Sequence, residues 1–165
     1  MHANQHEFLE SISNPLGWFY LIACALNVGA AAYALRRDTV RFQAADDSSV
    51  AGVFGLCGGL TMYHRPPPMP APLKSAVDAV LGPVTFTVGS FVILSVLYLG
   101  RRFFVVPAVA WAVFSASLLW MGCSMTDPQF AAIVTKPDNV PIVAMVYLLA
   151  FFTWVSASQA VANDE

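Results

Sequence analysis

The feature that most constrains this chain is a set of four long runs of sequence without any charged residue. They cover residues 11–35, 79–100, 103–126 and 139–163. A helix needs about 20 predominantly apolar residues to cross the hydrocarbon layer of a bilayer. Lipid offers the backbone no hydrogen-bond partner, so such segments cross as helices. The sequence therefore predicts an all-α integral membrane protein, with residues 1–165 in a single membrane domain. The predicted transmembrane helices lie at about 15–35, 82–100, 103–123 and 140–161.

Composition excludes the other broad classes. Charged residues make up 11% of the chain and hydrophobic residues 58%, with a mean hydropathy of +0.64. An ordinary soluble domain has about a quarter of its residues charged. Eight Lys and Arg against ten Asp and Glu provide no basic field that could hold phosphates. We therefore expect membrane lipids around the chain and no nucleic-acid partner.

A fifth uncharged segment, residues 48–63, is too short for a clear interpretation. Its 16 residues fit a short span, a re-entrant hairpin or an interfacial helix, and its glycines permit close backbone contact with another helix. Residues 64–72 follow and contain five prolines. Consecutive prolines favour an extended, non-helical chain, so this stretch is predicted to be a stiff connector.

Prolines and polar residues also predict where helices begin. Asn14 and Pro15 fit an N-cap and the first position of the first span. Pro83 and Pro107 fall within the first turns of the second and third spans, where a missing N–H costs little.

The distribution of Lys and Arg leaves two topologies open. Basic residues accumulate on the cytoplasmic side, and both topologies place the N-terminus outside. With four spans, six basic residues are cytoplasmic, and Arg101 and Arg102 are outside. With five spans, Arg36, Arg37 and the Arg101–Arg102 pair are among five cytoplasmic residues, and three are outside. Charge alone does not decide between them.

Residues that would carry chemistry are scarce. His2, His6 and His64 all lie outside the four predicted spans, whereas a membrane b-type haem is usually held by two histidines within spans. The three cysteines lack CxxC and CxxCH spacing. No acidic or basic residue lies inside a predicted span, where proton and ion pathways place them. We expect no enzymatic activity, no metal site and no cofactor bound by this chain alone.

The third predicted span has a smooth face of small residues. Ala108, Ala112 and Ala116 recur at every fourth position, so they lie on one side of the helix. Such faces let helices approach closely in lipid. We predict a subunit interface there.

Polar residues in and near the spans suggest further contacts. Asn27 is the only amide deep in a span, and we expect it to bond another helix rather than a substrate. Ser156 and Gln159 share a face of the last span, which favours burial against protein, in this chain or beside a partner. Arg101 and Arg102 stand at a membrane surface and are candidates for pairing with a lipid or quinone headgroup.

The last forty residues carry a recognisable pattern, TDPQFAAIVTKPDNVPIVAMVYLLAFFTWVSASQAVANDE. This segment, Thr126 to Glu165, resembles part of the bacterial membrane subunits of cytochrome b/c-type, quinol-oxidising complexes. In those subunits a DPxF…PDNxPI surface stretch leads into a span that ends near FFTW and an Ala–Asn–Asp tail. The matching residues are Asp127, Pro128, Phe130, Pro137, Asp138, Asn139, Pro141, Ile142, Phe151, Phe152, Thr153, Trp154, Ala160, Asn163 and Asp164.

Within this segment the sequence predicts an elbow at the membrane surface. Asp127 and Pro128 open a short helical stretch through Val134, and Asp138 or Asn139 is expected to cap the last span. The elbow, with Pro137 and Trp154, joins the alanine face as a predicted subunit interface.

The resemblance implies a non-catalytic subunit of a respiratory or photosynthetic electron-transfer complex in the bacterial cytoplasmic membrane. Such a subunit would hold neighbouring subunits and shape a lipid or quinone pocket. Its partners would be cytochrome or other redox subunits, and these would bind haem and quinone.

Two features depart from the pattern. The sequence ends at Glu165, where those subunits continue into further spans, and Ser156, Ser158 and Gln159 stand where basic residues are expected. The alternative function is a free-standing homo-oligomeric carrier or channel.

Overall fold

The structure, a computed structural model, describes residues 2–36, 41–80 and 82–164. Arg37 and Glu165 lie outside these ranges. Over the described ranges the chain is all-α, as predicted, with eight helices and no strand. They are α1 (His2–Arg36), α2 (Arg41–Tyr63), α3 (Ala71–Val80), α4 (Pro83–Leu99), α5 (Arg101–Phe104), α6 (Pro107–Ser124), α7 (Pro128–Val134) and α8 (Asn139–Asn163).

Among the residues that the structure describes, three helices are long and apolar enough to cross a membrane. They are Gln5–Leu35 within α1, α6 and α8. The predicted span at 82–100 corresponds to α4, which has 17 residues and meets α3 at a bend of 77°. The pair makes a fourth crossing if it acts as one bent span. The structure thus confirms an all-α chain with several potential spans, and the count of four stays a prediction.

The first helix starts earlier than predicted. α1 begins at His2 and contains Pro15 in its interior, so the predicted N-cap at Asn14 is wrong. A proline inside a helix loses one backbone hydrogen bond. Packing on both sides compensates for that loss, because Leu9 and Leu16 are only 4% and 5% exposed.

Prolines do begin two of the later helices. Pro83 and Pro107 are the first residues of α4 and α6, as predicted. The third span was expected from residue 103, but α5 is a separate short helix that ends at Phe104. Pro107 explains the break, because it cannot donate a backbone hydrogen bond and it disfavours helical geometry in the residue before it.

The connector is shorter than predicted. Residues 65–70 have no regular structure, which confirms the non-helical prediction for most of the stretch. α3 begins at Ala71 and includes Pro72, and the Lys74 amide donates to the Pro70 carbonyl at 3.0 Å. Proline is compatible with a first helical turn, so the last two residues of the predicted connector are helical.

The helices form two compact units, each described by itself. Unit 1 comprises Met1–Pro68 and Ala112–Ile133. In unit 1, α1 and α2 run antiparallel, since Gly17 lies near Gly58 and Cys24 lies near Gly55. α2 is one continuous helix, so a re-entrant hairpin at 48–63 is wrong. The core of unit 1 is formed by Leu9, Leu16, Tyr20, Ala23, Ala31, Ala51, Phe54, Leu118 and Ala131.

Unit 2 comprises Met69–Trp111 and Val134–Glu165. α3, α4 and α5 contain no buried residue, and Val161 is the single buried residue of α8. Large apolar side chains such as Phe91 and Leu149 are 69% and 60% exposed. The apolar surface of this unit is therefore turned outward, which suits helices that are surrounded by lipid or by other spans.

Candidate functional site

A buried hydrogen bond joins α1 to α6 in unit 1. Asn27 and Ser115 are each only 1% exposed. The Asn27 side chain donates from Nδ2 to the Ala23 carbonyl at 2.9 Å, and its Oδ1 accepts from Ser115 Oγ at 3.2 Å. The prediction that Asn27 bonds another helix is confirmed. An amide held in this way is a structural link and is not available to a substrate.

A second contact brings α6 closer to α1. Gly122 faces the ring and hydroxyl group of Tyr20, which is 5% exposed and lies beside Phe54. Tyr20 meets residue 122 and Asn27 meets residue 115, so α6 runs antiparallel to α1. Sequence reasoning did not identify Gly122, because its role depends on an aromatic side chain about a hundred residues away.

The α1–α2 contact depends on glycines, but not on every glycine of residues 48–63. A Cβ atom on Gly58 would lie 3.1 Å from Leu21 Cδ2, and one on Gly55 would lie 3.3 Å from Cys24 Sγ. A Cβ atom on Gly17 would lie closer still, 2.5 Å from Met62 Cγ. Gly59, in contrast, faces open space. The glycine content of α2 indicated a packed helix, but the face that packs is set by α1.

The alanine face of α6 remains largely uncovered. Ala112 and Ala116 are exposed and Ala108 is half-buried. The close packing in unit 1 uses a different side of α6, the one that carries Ser115 and Gly122. The three alanines therefore leave a smooth face available to another helix, and their role as an interface stays a prediction.

The first half of the elbow has a clear local role. Asp127 is 8% exposed, and its Oδ1 accepts from the amides of Gln129 at 2.9 Å and Phe130 at 3.2 Å. Pro128 is the first residue of α7, which ends at Val134, as predicted. Asp127 thus caps α7, because it accepts hydrogen bonds from two amides that have no partner within the helix.

The second half of the elbow departs from the prediction. Asp138 occupies the N-cap position of α8 but makes no capping bond with its side chain. The turn is closed by the backbone, where the amides of Asn139 and Val140 donate to the Lys136 carbonyl. Side-chain capping by Asp138 is therefore wrong. Pro137 and Asp138 are exposed and Asn139 is half-buried.

The two candidate headgroup arginines differ in their surroundings. Arg101 Nη2 lies 3.0 Å from Asp164 Oδ2, and its guanidinium carbon lies 5.5 Å from the centroid of the Tyr98 ring. Arg102 is exposed, and its side chain makes no ion pair with any residue that the structure describes. The Arg101 charge therefore has a carboxylate partner at the surface, and a headgroup contact for either arginine stays a prediction.

Trp154 lies on the contact between α8 and the α5–α6 link. Its Nε1 donates to the Val105 carbonyl at 3.2 Å, and its ring packs against that of Phe151. The polar edge of this residue is therefore used within unit 2. Ser156 and Gln159 are exposed, so the chain itself does not bury them, and burial beside a partner stays a prediction.

A surface cluster links the ends of α1 and α2. Arg65 Nη2 lies 3.0 Å from Glu10 Oε2, and Arg65 Nη1 lies 3.2 Å from His6 Nδ1. The Arg65 and Glu10 side chains are 52% and 67% exposed. An ion pair this exposed stabilises the fold little, but it shows that residues 10 and 65 lie side by side.

No group of three His, Cys, Asp or Glu side chains suited to a metal ion occurs within 2–36, 41–80 and 82–164. Cys24, Cys57 and Cys123 are free thiols, and only Cys123 is exposed. Comparison of the chain with protein-family models, curated proteins and solved structures gives no significant match.

Proposed function

We propose that this chain is a non-catalytic membrane subunit of a bacterial electron-transfer complex of the quinol- and cytochrome-dependent kind. The resemblance of residues 126–165 supports the assignment to electron transfer. The outward-facing apolar helices of unit 2 and the uncovered alanine face of α6 support a role in holding other spans. Haem and quinone would be bound by cytochrome or other redox partners in the cytoplasmic membrane.

The alanine face is the observation that carries the docking role. Ala112 is exposed, and a larger side chain there would hold a neighbouring helix at a distance. We expect Ala112→Leu to release the subunit from its complex. Val113→Leu is the control, because Val113 is also exposed and lies to one side of Ala112, since a helix turns by about 100° per residue.

The experiment is a native purification of the tagged chain in mild detergent. We expect haem-bearing partners in stoichiometric amounts, a reduced-minus-oxidised haem spectrum, and loss of both in Ala112→Leu but not in Val113→Leu. A colourless particle that contains only this chain would refute the proposal and favour the homo-oligomeric carrier or channel. An intact complex in Ala112→Leu would refute the docking face.

We further propose five spans, and the first support is the Arg65–Glu10 contact. Glu10 precedes the apolar part of α1, and Arg65 follows α2. If α1 crosses the membrane, residue 65 can return to the side of residue 10 only if α2 crosses as well. The uncharged part of α2 also lies antiparallel to the apolar part of α1, at the same depth.

The second support is the antiparallel pairing of α1 and α6 in unit 1. Two antiparallel spans must be separated along the chain by an even number of crossings. Since α2 provides one of these, α4 has to provide the other, either by itself or together with α3. With the N-terminus outside, the loop before α8 is then external, and Arg101 and Arg102 are cytoplasmic.

Cysteine accessibility tests this topology. We expect impermeant reagents to reach an N-terminal tag, His64→Cys and native Cys123 from the outside of intact spheroplasts. Arg102→Cys is expected to react only after permeabilisation. Cys123→Ser provides the background for the introduced cysteines. If the tag, residue 64 and residue 123 are not all on one side, the five-span proposal is wrong.

A further inference from the structure

An open groove of about 640 Å³ runs along the α1–α2 pair in unit 1. One wall extends from Cys24 to Leu35 on α1, and the other from Ser48 to Leu56 on α2. Space is left between the walls because several lining residues are small. These are Ala31, Ala51, Gly52 and Gly55. The lining is mainly apolar, and Ser48 and Cys24 are the lining residues with a hydroxyl or thiol group.

The dimensions of the groove match one leaflet of a bilayer. A helix rises about 1.5 Å per residue, so the α1 wall is roughly 16 Å long. The hydrocarbon of one leaflet is about half of 30 Å thick. The Cys24 end lies near the middle of α1's apolar run, and the Leu35 and Ser48 end lies where charged sequence begins. The groove therefore extends from the membrane centre to one surface.

We propose that this groove binds a single acyl chain of a membrane phospholipid, from the leaflet next to Leu35 and Ser48. The apolar walls exclude a charged or strongly polar ligand, because such a group would lose its hydration without gaining partners. The volume falls within the roughly 300–1,000 Å³ of ordinary ligand sites. An extended hydrocarbon chain restores the dispersion contacts that small residues leave unmade. The headgroup remains at the surface, beside Ser48.

Photo-crosslinking tests the proposal. The full-length chain is reconstituted in vesicles of phosphatidylethanolamine and phosphatidylglycerol that contain a phospholipid with a diazirine in its acyl chain. Adducts are located by mass spectrometry. We expect several-fold more adduct on Val28, Leu35 and Leu56 in the groove than on Ile22, Leu26 and Leu60 outside it, although the two sets are similarly exposed, at 54–64% and 49–59%.

The structure offers matched variants. Gly52 and Gly59 lie two turns apart on α2, and a Cβ atom on either would meet open space. Only Gly52 lines the groove. We expect Gly52→Leu to reduce groove adducts several-fold, whereas Gly59→Leu leaves them unchanged. Ala32→Leu and Ala25→Leu form a second pair on α1, which keeps the test valid if Gly52→Leu does not fold.

Three results would overturn the proposal. They are adducts spread evenly over the exposed apolar residues, equal adduct yields in Gly52→Leu and Gly59→Leu, and loss of the groove adducts when decyl-ubiquinone is added in an amount equal to the probe. The last result would assign the groove to a quinone tail. The inference needs only α1 and α2 to cross the membrane, so it can fail while the electron-transfer proposal holds, and the reverse.

Discussion

Replacing Gly122 with alanine tests the packing of α1 against α6 directly. A Cβ atom on Gly122 would lie 2.6 Å from both Cε1 and the hydroxyl oxygen of Tyr20. Carbon atoms in contact are normally about 3.5–4.0 Å apart, so the helices must separate by roughly 1 Å or the Tyr20 ring must move. The ring is buried beside Phe54, with centroids 6.3 Å apart. Because the ring is buried, it can turn only if the side chains around it shift as well.

The size of the effect follows from two opposing contributions. An extra carbon in a well-packed core costs about 1–3 kcal/mol. Alanine in place of glycine inside a helix recovers about 0.5–1 kcal/mol. We expect Gly122→Ala to lower the free energy of unfolding by about 1–2 kcal/mol.

Reversible unfolding in mixed micelles, with dodecyl sulfate as denaturant and circular dichroism as the signal, measures this loss. Gly59→Ala is the control, because its new methyl group meets nothing within 4 Å, and it should stabilise α2. In a Tyr20→Leu background the Gly122→Ala substitution should no longer destabilise the protein. If Gly122→Ala alone raises the stability as Gly59→Ala does, the close approach of α1 and α6 is refuted.

Three further predictions use the same unfolding measurement. A double-mutant cycle with Asn27→Ala and Ser115→Ala should give a coupling energy of about 0.5–1.5 kcal/mol, the range of hydrogen bonds between membrane helices. Additive effects of the two substitutions would contradict the hydrogen bond between α1 and α6. Asp127→Ala should lower the free energy of unfolding by about 1 kcal/mol through loss of the α7 cap. Asp127→Asn should keep most of the stability that the cap provides. Equal losses in the two variants would contradict the capping role. Arg101→Ala and Asp164→Ala should couple by less than about 1 kcal/mol, since the side chains are 40% and 52% exposed. The coupling energy should fall at high salt. A coupling energy that does not change with salt would contradict a surface ion pair.

Local chemistry allowed several elements to be predicted from the sequence. Pro83, Pro107 and Pro128 begin helices because each occupies a position where no backbone donor is needed. The bounds of α7 and the start of α8 were predicted from Asp127 and from the residues around Pro137. Asn27 was expected to bond another helix, since an unpaired amide in lipid is costly, and it does so.

Residues whose role depends on distant partners could not be assigned in this way. α1 continues through Pro15 with Leu9 and Leu16 buried before and after it, and the local sequence does not reveal that burial. Gly17, Gly58 and Gly122 are close-contact positions because of Met62, Leu21 and Tyr20. Among glycines in an apolar segment, only the opposing helix decides which ones face it. The alanine face of α6 was visible from its spacing, but its exposure was not.

The number of spans shows why contacts add to what hydropathy predicts. Residues 48–63 are too short for the length criterion to classify, and the counts of Lys and Arg favour neither topology. One contact between Arg65 and Glu10 bears on the question, because a chain cannot return to its starting side after a single crossing. The antiparallel register of Tyr20 with Gly122 and of Asn27 with Ser115 extends the same argument to α4. An exposed ion pair that contributes little to stability can therefore carry more information about topology than the most hydrophobic helix in the chain.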